Sequence, residues 1–450
     1  MSPAISTIEA GSATSPGGFS AAAAHAGLKT DGALDVALLV SATSCATAGS
    51  FTKNALRAAP VIYDAEMLAD RPGRTRAVAM NARVANACTG AAGLEAARAM
   101  ARSAEEAAGL PPRTALVLST GVIGVPLPVE KVARGLREAA TRLSPAGGVD
   151  AARAIMTTDT RPKHCAVRLE TPGGPIIIGG MAKGAGMIHP DMATLLAVIT
   201  TDAVSEPGTL RPFWKRVVDH TFNAISVDGD TSTNDTALFL ANGHAGIDPS
   251  RDGATWKLFE EATTEVARTL ALAIVEDGEG ATKRLEIQIV GAQTEGHARE
   301  VGRAIARSTL VKTAIYGGDP NWGRVLAAAG VAGVSLIAER ITLEAQGSNG
   351  GSWLTLASGG ATALANPAQA RAIFEQKTIR LRLDRDQGRA GGGGMDLRSF
   401  SGLRPDQLRL HVLVRASTWS CRAARRPASP CPCGAHVSAW PSRCRPAATR

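Results

Sequence analysis

"KGAGMIHPDMATLLAVITTDA", Lys183–Ala203, decides how the rest of the chain is read. It begins with glycines around a lysine, as a phosphate-cradling loop does, and ends in an apolar run of strand type. A loop of the GxxxxGK[ST] kind places its lysine after the last glycine and follows it with Ser or Thr. Here Lys183 precedes Gly184 and Gly186 and has no hydroxyl beside it, so a nucleotide is not indicated. What remains is Ala193-Thr194, a small residue and a hydroxyl at the threshold of the apolar run. A threonine hydroxyl is a weak nucleophile unless a base lies beside it, and a free α-amine on the same residue is such a base. The pKa of that amine, about 8, suits proton transfer at neutral pH. Freeing it requires the Oγ to attack the preceding carbonyl, an attack that a small residue at 193 crowds least. Two readings stay open on these residues alone: an N-terminal nucleophile made by self-cleavage, or a threonine that merely opens a strand, where threonine is common.

Outward from this stretch, strand-like and helix-like segments alternate. "ALDVALLVS" (33–41) and "RTALVLS" (113–119) are short apolar runs bounded by turn residues and read as buried strands. "AGLEAARAMARSAEEAAGL" (92–110) and "VEKVARGLREAATRL" (129–143) space their apolar residues for amphipathic helices. "CAVRLETPGGPIIIGGMAKG" (165–184) reads as two strands around a Pro-Gly-Gly turn. Beyond Thr194, "TLLAVITTDA" predicts a strand. "LRPFWKRVVDHTFNAI" and "TWKLFEEATTEVARTLALAIVE" predict helices, and "LEIQIVGA" and "TIRLRLD" (378–384) half-buried strands. Interleaved strands and helices place the fold in the α/β class, sheets covered by helices.

The 450 residues are 45% hydrophobic, a composition typical of a globular enzyme. No apolar run approaches the roughly 18–20 residues of a membrane span. The first residues show neither a secretory pattern nor an arginine-rich transit pattern, so the cytoplasm is the expected compartment. The net charge of +9 is uneven: residues 389–450 hold 11 Arg and two Asp, which leaves 38 basic and 38 acidic residues in the body. A neutral body offers no basic stripe for nucleic acid. Cys45, Cys88 and Cys165 are scattered as free thiols would be, Cys88 reading as a buried structural thiol. Cys421, Cys431, Cys433 and Cys444 crowd the tail without zinc-ligand spacing. "VDGDTSTND" lacks the glycine spacing and closing Glu of a calcium loop, and no metal is expected.

Seven stretches occur together and in order: "NARVANACTG" (81–90), "STGVIGVPLP" (119–128), "MTTDTRPK" (156–163), the opening stretch, "FNAISVDGDTSTND" (222–235), "DGEGATK" (277–283) and "LVKTAIYGGDPNWGR" (310–324). With them the chain resembles the ornithine acetyltransferase family, the bifunctional glutamate N-acetyltransferases of arginine biosynthesis, from about residue 17 to 386. The resemblance implies helix-flanked α/β sheets of the self-cleaving, N-terminal-nucleophile type. It also implies cleavage between Ala193 and Thr194 into an α-chain (1–193) and a β-chain (194–388), assembled as two of each. Thr194 would take acetyl from N-acetylornithine and pass it to glutamate, with acetyl-CoA a possible further donor and no bound cofactor. Oxyanion donors fall at Thr120 and Gly121, where a strand ending in Thr-Gly is expected to leave backbone N–H groups unpaired. Substrate contacts fall at Thr157, Lys183, Thr194 and Glu279. Lysine suits a carboxylate, glutamate an ammonium and threonine a hydroxyl hydrogen bond. The "VDGDTSTND" segment is structural and site-lining in the family. Rival readings are a related N-terminal-nucleophile aminopeptidase or amidase, or an inactive product.

The resemblance fails at the tail. Family chains end near "WTCDLSYDYVxINADYTS", whose asparagine and terminal hydroxyl residue complete the pocket, and nothing like it follows Asp386. Reading one nucleotide later through codons permitted for Gly394 to Leu413 recovers "AWICDLSQDYVRINCDYTS", with the Trp forced by Met395-Asp396. Residues 389–450 are therefore expected to be a frameshifted, disordered segment without strand alternation.

Overall fold

The structure, a computed structural model, describes residues 4–189, 195–385 and 408–415. Two sheets organise it. The first has nine strands, eight of them in the order Ile5–Ile8, Lys163–Thr171, Gly174–Lys183, Leu196–Thr201, Thr236–Ala241, Val36–Phe51, Thr75–Asn81, Ala115–Ser119. Phe19–Ala24 pairs on Val36–Phe51 beside that path. Most pairings are antiparallel. Leu196–Thr201 lies parallel to Thr236–Ala241, and Thr75–Asn81 parallel to Ala115–Ser119. The expected strands at 33–41, 113–119 and after Thr194 are present, as is the Pro-Gly-Gly hairpin.

The helices cover this sheet on the faces their spacing dictates. Gly90–Ala107 turns Gly93, Ala97, Met100, Ala101 and Ala104 inward, a stripe at helical period. Gly253–Glu276 buries Phe259, Ala262, Val266, Leu270 and Ile274 on the same rule. Its start is fixed by Asp252, whose carboxylate accepts from the N–H groups of Ala254 and Thr255, a cap worth about 1 kcal/mol. Aromatic residues, 4% of the chain, concentrate beneath it. Phe213 stacks on Phe259 at 5.4 Å between ring centroids and meets Phe239 edge-on at 5.6 Å. Such pairs add about 0.5–1.5 kcal/mol each beyond their area.

The second sheet is built wholly from residues after 194. Its order is Ala361–Thr362, Leu354–Ser358, Thr342–Gly347, Thr378–Asp384, Ala281–Val290, Leu408–Arg415, Ile225–Ser226. Here the expected disorder of 389–450 is corrected for eight residues. Leu408–Arg415 pairs antiparallel with Ala281–Val290 and parallel with Ile225–Ser226, burying Leu410, Val412 and Val414. "LRLHVLVR" does alternate over Leu410, Val412 and Val414, which face the core, and that periodicity suffices to hold an interior strand place. The rest of that segment, and the frameshift reading of it, lie outside the described residues. No helix among the described residues is long and apolar enough to cross a membrane.

Candidate functional site

Five of the candidate residues meet at one cavity of about 360 Å³. Thr120, Gly121, Thr157, Lys183 and Glu279 line it, with Arg83, Ser232 and Asn234 among their neighbours. They come from four well-separated segments, so the fold alone assembles them. Ala193 and Thr194 lie outside the described residues, but the chain on either side of them is held. On one side Asp228 accepts from the N–H of Met187 and, at 2.8 Å, of Ile188. On the other, the N–H of Leu195 donates to Asp235 Oδ1 at 3.1 Å. Two of the three acids of "VDGDTSTND", Asp228 and Asp235, are therefore clamps on the segment that contains the junction. Ser232 and Asn234 of the same stretch line the cavity, as its site-lining reading requires.

Thr120 directly follows the strand Ala115–Ser119 and is 5% exposed. Its N–H donates to the Asn81 carbonyl at 3.1 Å, which corrects the expectation that this amide is free. The antiparallel bridge to Val84 carries the chain pairing one residue past the strand. What Thr120 offers instead is its hydroxyl. Lys183 Nζ donates to that oxygen at 3.2 Å, which leaves the hydroxyl proton to be given elsewhere. Gly121 follows with φ +135°, and a methyl there would sit 2.0 Å from the Arg83 carbonyl carbon. Only glycine fits that turn. The Gly121 N–H makes no hydrogen bond to another described residue, so one hydroxyl and one amide are the available donors.

Lys183 ends its strand at 3% exposure. Burial pushes its pKa below the ordinary 10.5, opposed first by the charge of Asp159 and more weakly by Asp235 and Glu279. The Thr120 hydroxyl takes one of its three donors, and the other two meet no acceptor among the described residues. Glu279 hangs over Gly186: a methyl at Gly186 would stand 2.8 Å from its Oε1. Its own N–H donates to Ala185 O at 2.8 Å, tying that loop to the end of the lysine strand.

Beneath the cavity lies a buried charge network that sequence reading missed. Lys163 Nζ is 2.6 Å from Asp159 Oδ1 and 2.5 Å from Asp277 Oδ2, with side chains 1%, 0% and 4% exposed. Asp159 also accepts from Gly184 N–H at 2.7 Å and Thr157 N–H at 3.0 Å, and Asp277 from Thr160 N–H at 3.0 Å. Burial would raise the Asp159 carboxyl, but Lys183, Lys163 and these donors hold it below its ordinary value. Asp277 is likewise held low against burial by Lys163 and Thr160. The network thus bolts together the loops that carry Thr157, Lys183 and Glu279. Cys88, expected to be buried, is exposed at φ 54° and does not line the cavity. It begins an irregular turn before a helix, where burial cannot be read from spacing.

A cavity with a hydroxyl and an amide donor at one end, and charges of both signs around it, defines an enzyme of acyl transfer to or from an amino acid. Residues 20–399 match the ArgJ family. The arginine biosynthesis bifunctional protein ArgJ of Symbiobacterium thermophilum is 50% identical over 337 residues, 74% of this chain and 83% of that one. Its counterpart in Thermotoga neapolitana is 45% identical over 386 residues, 85% and 96%. Among solved structures, the ornithine acetyltransferase of Mycobacterium tuberculosis complexed with ornithine is 37% identical, covering 43% of this chain and 100% of its own, at a TM-score of 0.38. The chain belongs to the ArgJ family and is an acyltransferase of arginine biosynthesis.

Proposed function

We propose that the chain cleaves itself between Ala193 and Thr194 and then transfers acetyl from N2-acetyl-L-ornithine to L-glutamate through an acetyl-Thr194 ester. The observation that carries this is the convergence of Thr120, Gly121, Thr157, Lys183 and Glu279 on one cavity. The Thr194 Oγ attacks the acetamide carbonyl while its α-amine takes the hydroxyl proton. The Thr120 hydroxyl and Gly121 N–H receive the developing oxyanion. The C–N bond then breaks, the proton passes to the departing nitrogen, and ornithine leaves. The α-amine of glutamate attacks the ester, and Thr194 regains its proton as N-acetylglutamate departs. This is two-step covalent catalysis. Thr157, Lys183 and Glu279 orient the amino acid, acetyl-CoA is a further acetyl donor, and the working assembly is two α- and two β-chains in the cytoplasm. Free Cys45, Cys88 and Cys165 suit a reducing compartment.

The experiment uses the purified chain and Thr194→Ala. The parent should run as two fragments on a denaturing gel, release ornithine from N-acetylornithine, and carry an acetyl mass on the fragment that begins at Thr194. The variant should run as one band and release none. An intact but folded parent, or ornithine release without an acetylated fragment, refutes the reading.

A further inference from the structure

Two amino acids of opposite side-chain charge must use the same cavity in turn. N-acetylornithine ends in an ammonium and glutamate in a carboxylate, while the α-carboxylate is common to both. The charged residues lining the cavity are two cations, Arg83 and Lys183, and one anion, Glu279. Lys183 lies at the acyl-transfer end, 3.2 Å from the Thr120 hydroxyl. The α-carboxylate sits one carbon from the reacting nitrogen, so Lys183 is placed for the group both substrates share. Glu279 suits the ammonium of ornithine. That leaves Arg83.

We propose that Arg83 receives the side-chain carboxylate of glutamate and so admits the acidic acceptor to a cavity that also takes a basic donor. This rests on the acetyl-transfer reading above. The Arg83 guanidinium makes no hydrogen bond or ion pair with another described residue, so no internal partner competes for it. Its backbone stands at φ 72°, a left-handed conformation that an arginine adopts only when its surroundings impose it. The surroundings do so. Val122 N–H donates to the Arg83 carbonyl at 3.0 Å, and Ala82 N–H to Asp35 O at 2.9 Å. The Asn81 amide donates to the carbonyls of Ala82 and Val84 at 3.2 and 2.9 Å. The same turn is the surface against which Gly121 packs, so the arginine is mounted on the back of the oxyanion turn. A planar fork of donors is the group best matched to a carboxylate.

The test separates the two half-reactions in the self-cleaved protein. Exchange of labelled ornithine into N-acetylornithine reports the donor half alone, and transfer to glutamate reports both. In Arg83→Gln the KM for glutamate should rise roughly ten- to hundredfold, the loss of a hydrogen bond to a charged group, while ornithine exchange stays within about twofold. Arg83→Lys should recover part of the loss. The preference for glutamate over glutamine as acceptor, measured within one sample and so independent of how much protein folds, should collapse in Arg83→Gln. An unchanged preference, or an equal rise in KM for both substrates, overturns the assignment. Absence of ornithine exchange in the parent overturns the acetyl-transfer reading itself, and this inference with it.

Discussion

Replacing Lys163 by methionine tests whether the buried network holds the site together. The substitution keeps the volume and removes the one cation that bridges Asp159 and Asp277. Breaking a buried ion pair from one side costs about 3–5 kcal/mol. The lower end applies here, because Asp159 keeps Lys183 and the Gly184 N–H, and Asp277 keeps Thr160. About 3 kcal/mol is a large share of the 5–15 kcal/mol that holds a typical domain. The pH dependence follows from the direction of the shifts. Both carboxyls are held below 3.8 in the folded chain, so the stability they contribute is present above 3.8 and lost as pH falls through their folded values. In Lys163→Met the carboxyls titrate higher, so the deficit against the parent should be greatest near neutrality and shrink on acidification. Urea unfolding of both proteins at several pH values measures it. A deficit below about 1 kcal/mol at pH 7, or one that does not change with pH, refutes the idea that Lys163 neutralises two buried carboxylates.

Thr120→Ala should lower kcat by roughly two orders of magnitude with little change in KM, because an oxyanion donor acts on charge that develops in the transition state. Thr120→Ser should restore most of it, and an effect confined to KM would mark a plain substrate contact. Burial raises the Asp235 carboxyl well above 3.8, so the folded chain keeps a proton that the unfolded chain has lost, and stability should fall as pH rises through that window. Asp235→Asn should flatten this part of a Tm-against-pH curve, and parallel curves would show that the carboxyl is not neutral in the fold. Val412 is fully buried in the strand Leu408–Arg415, so Val412→Asp should destabilise by several kcal/mol; an unchanged melt would mean that this strand does not belong to the core.

Much of the fold was legible because most elements announce themselves locally. The helices at 92–110 and 129–143 and the strands around Pro-Gly-Gly carry their period within a dozen residues. Leu408–Arg415 carries a period of two as well, but an arginine-rich surrounding of different texture masked it. The Lys163–Asp277 contact was illegible for another reason: its partners stand 114 residues apart, and neither belongs to a pattern until the sheet brings them together. Arg83 is of the same kind, since only the turn around it shows which way an arginine in "NARVANACTG" is presented. Thr120 shows the limit in small. Its place in the site was readable, whereas the donor it offers depends on a bridge to Val84 that spacing does not reveal.

The strand order of the nine-stranded sheet also sets a timetable. Leu196–Thr201 and Thr236–Ala241 stand side by side between Gly174–Lys183 and Val36–Phe51, so the segment after the proposed cut is a wedge through the middle of a sheet made from the segment before it. Without the wedge the earlier strands fall into two groups with a raw edge on each. A chain severed before this sheet closes would have to find its counterpart by diffusion, while exposing four edges open to unwanted pairing. On the proposed cut, the peptide bond at 193–194 would serve as a tether during assembly, dispensable only once the ladders on both sides are made. Under the proposed cleavage, covalent continuity would be given up last, when hydrogen bonds across the sheet have taken over its work.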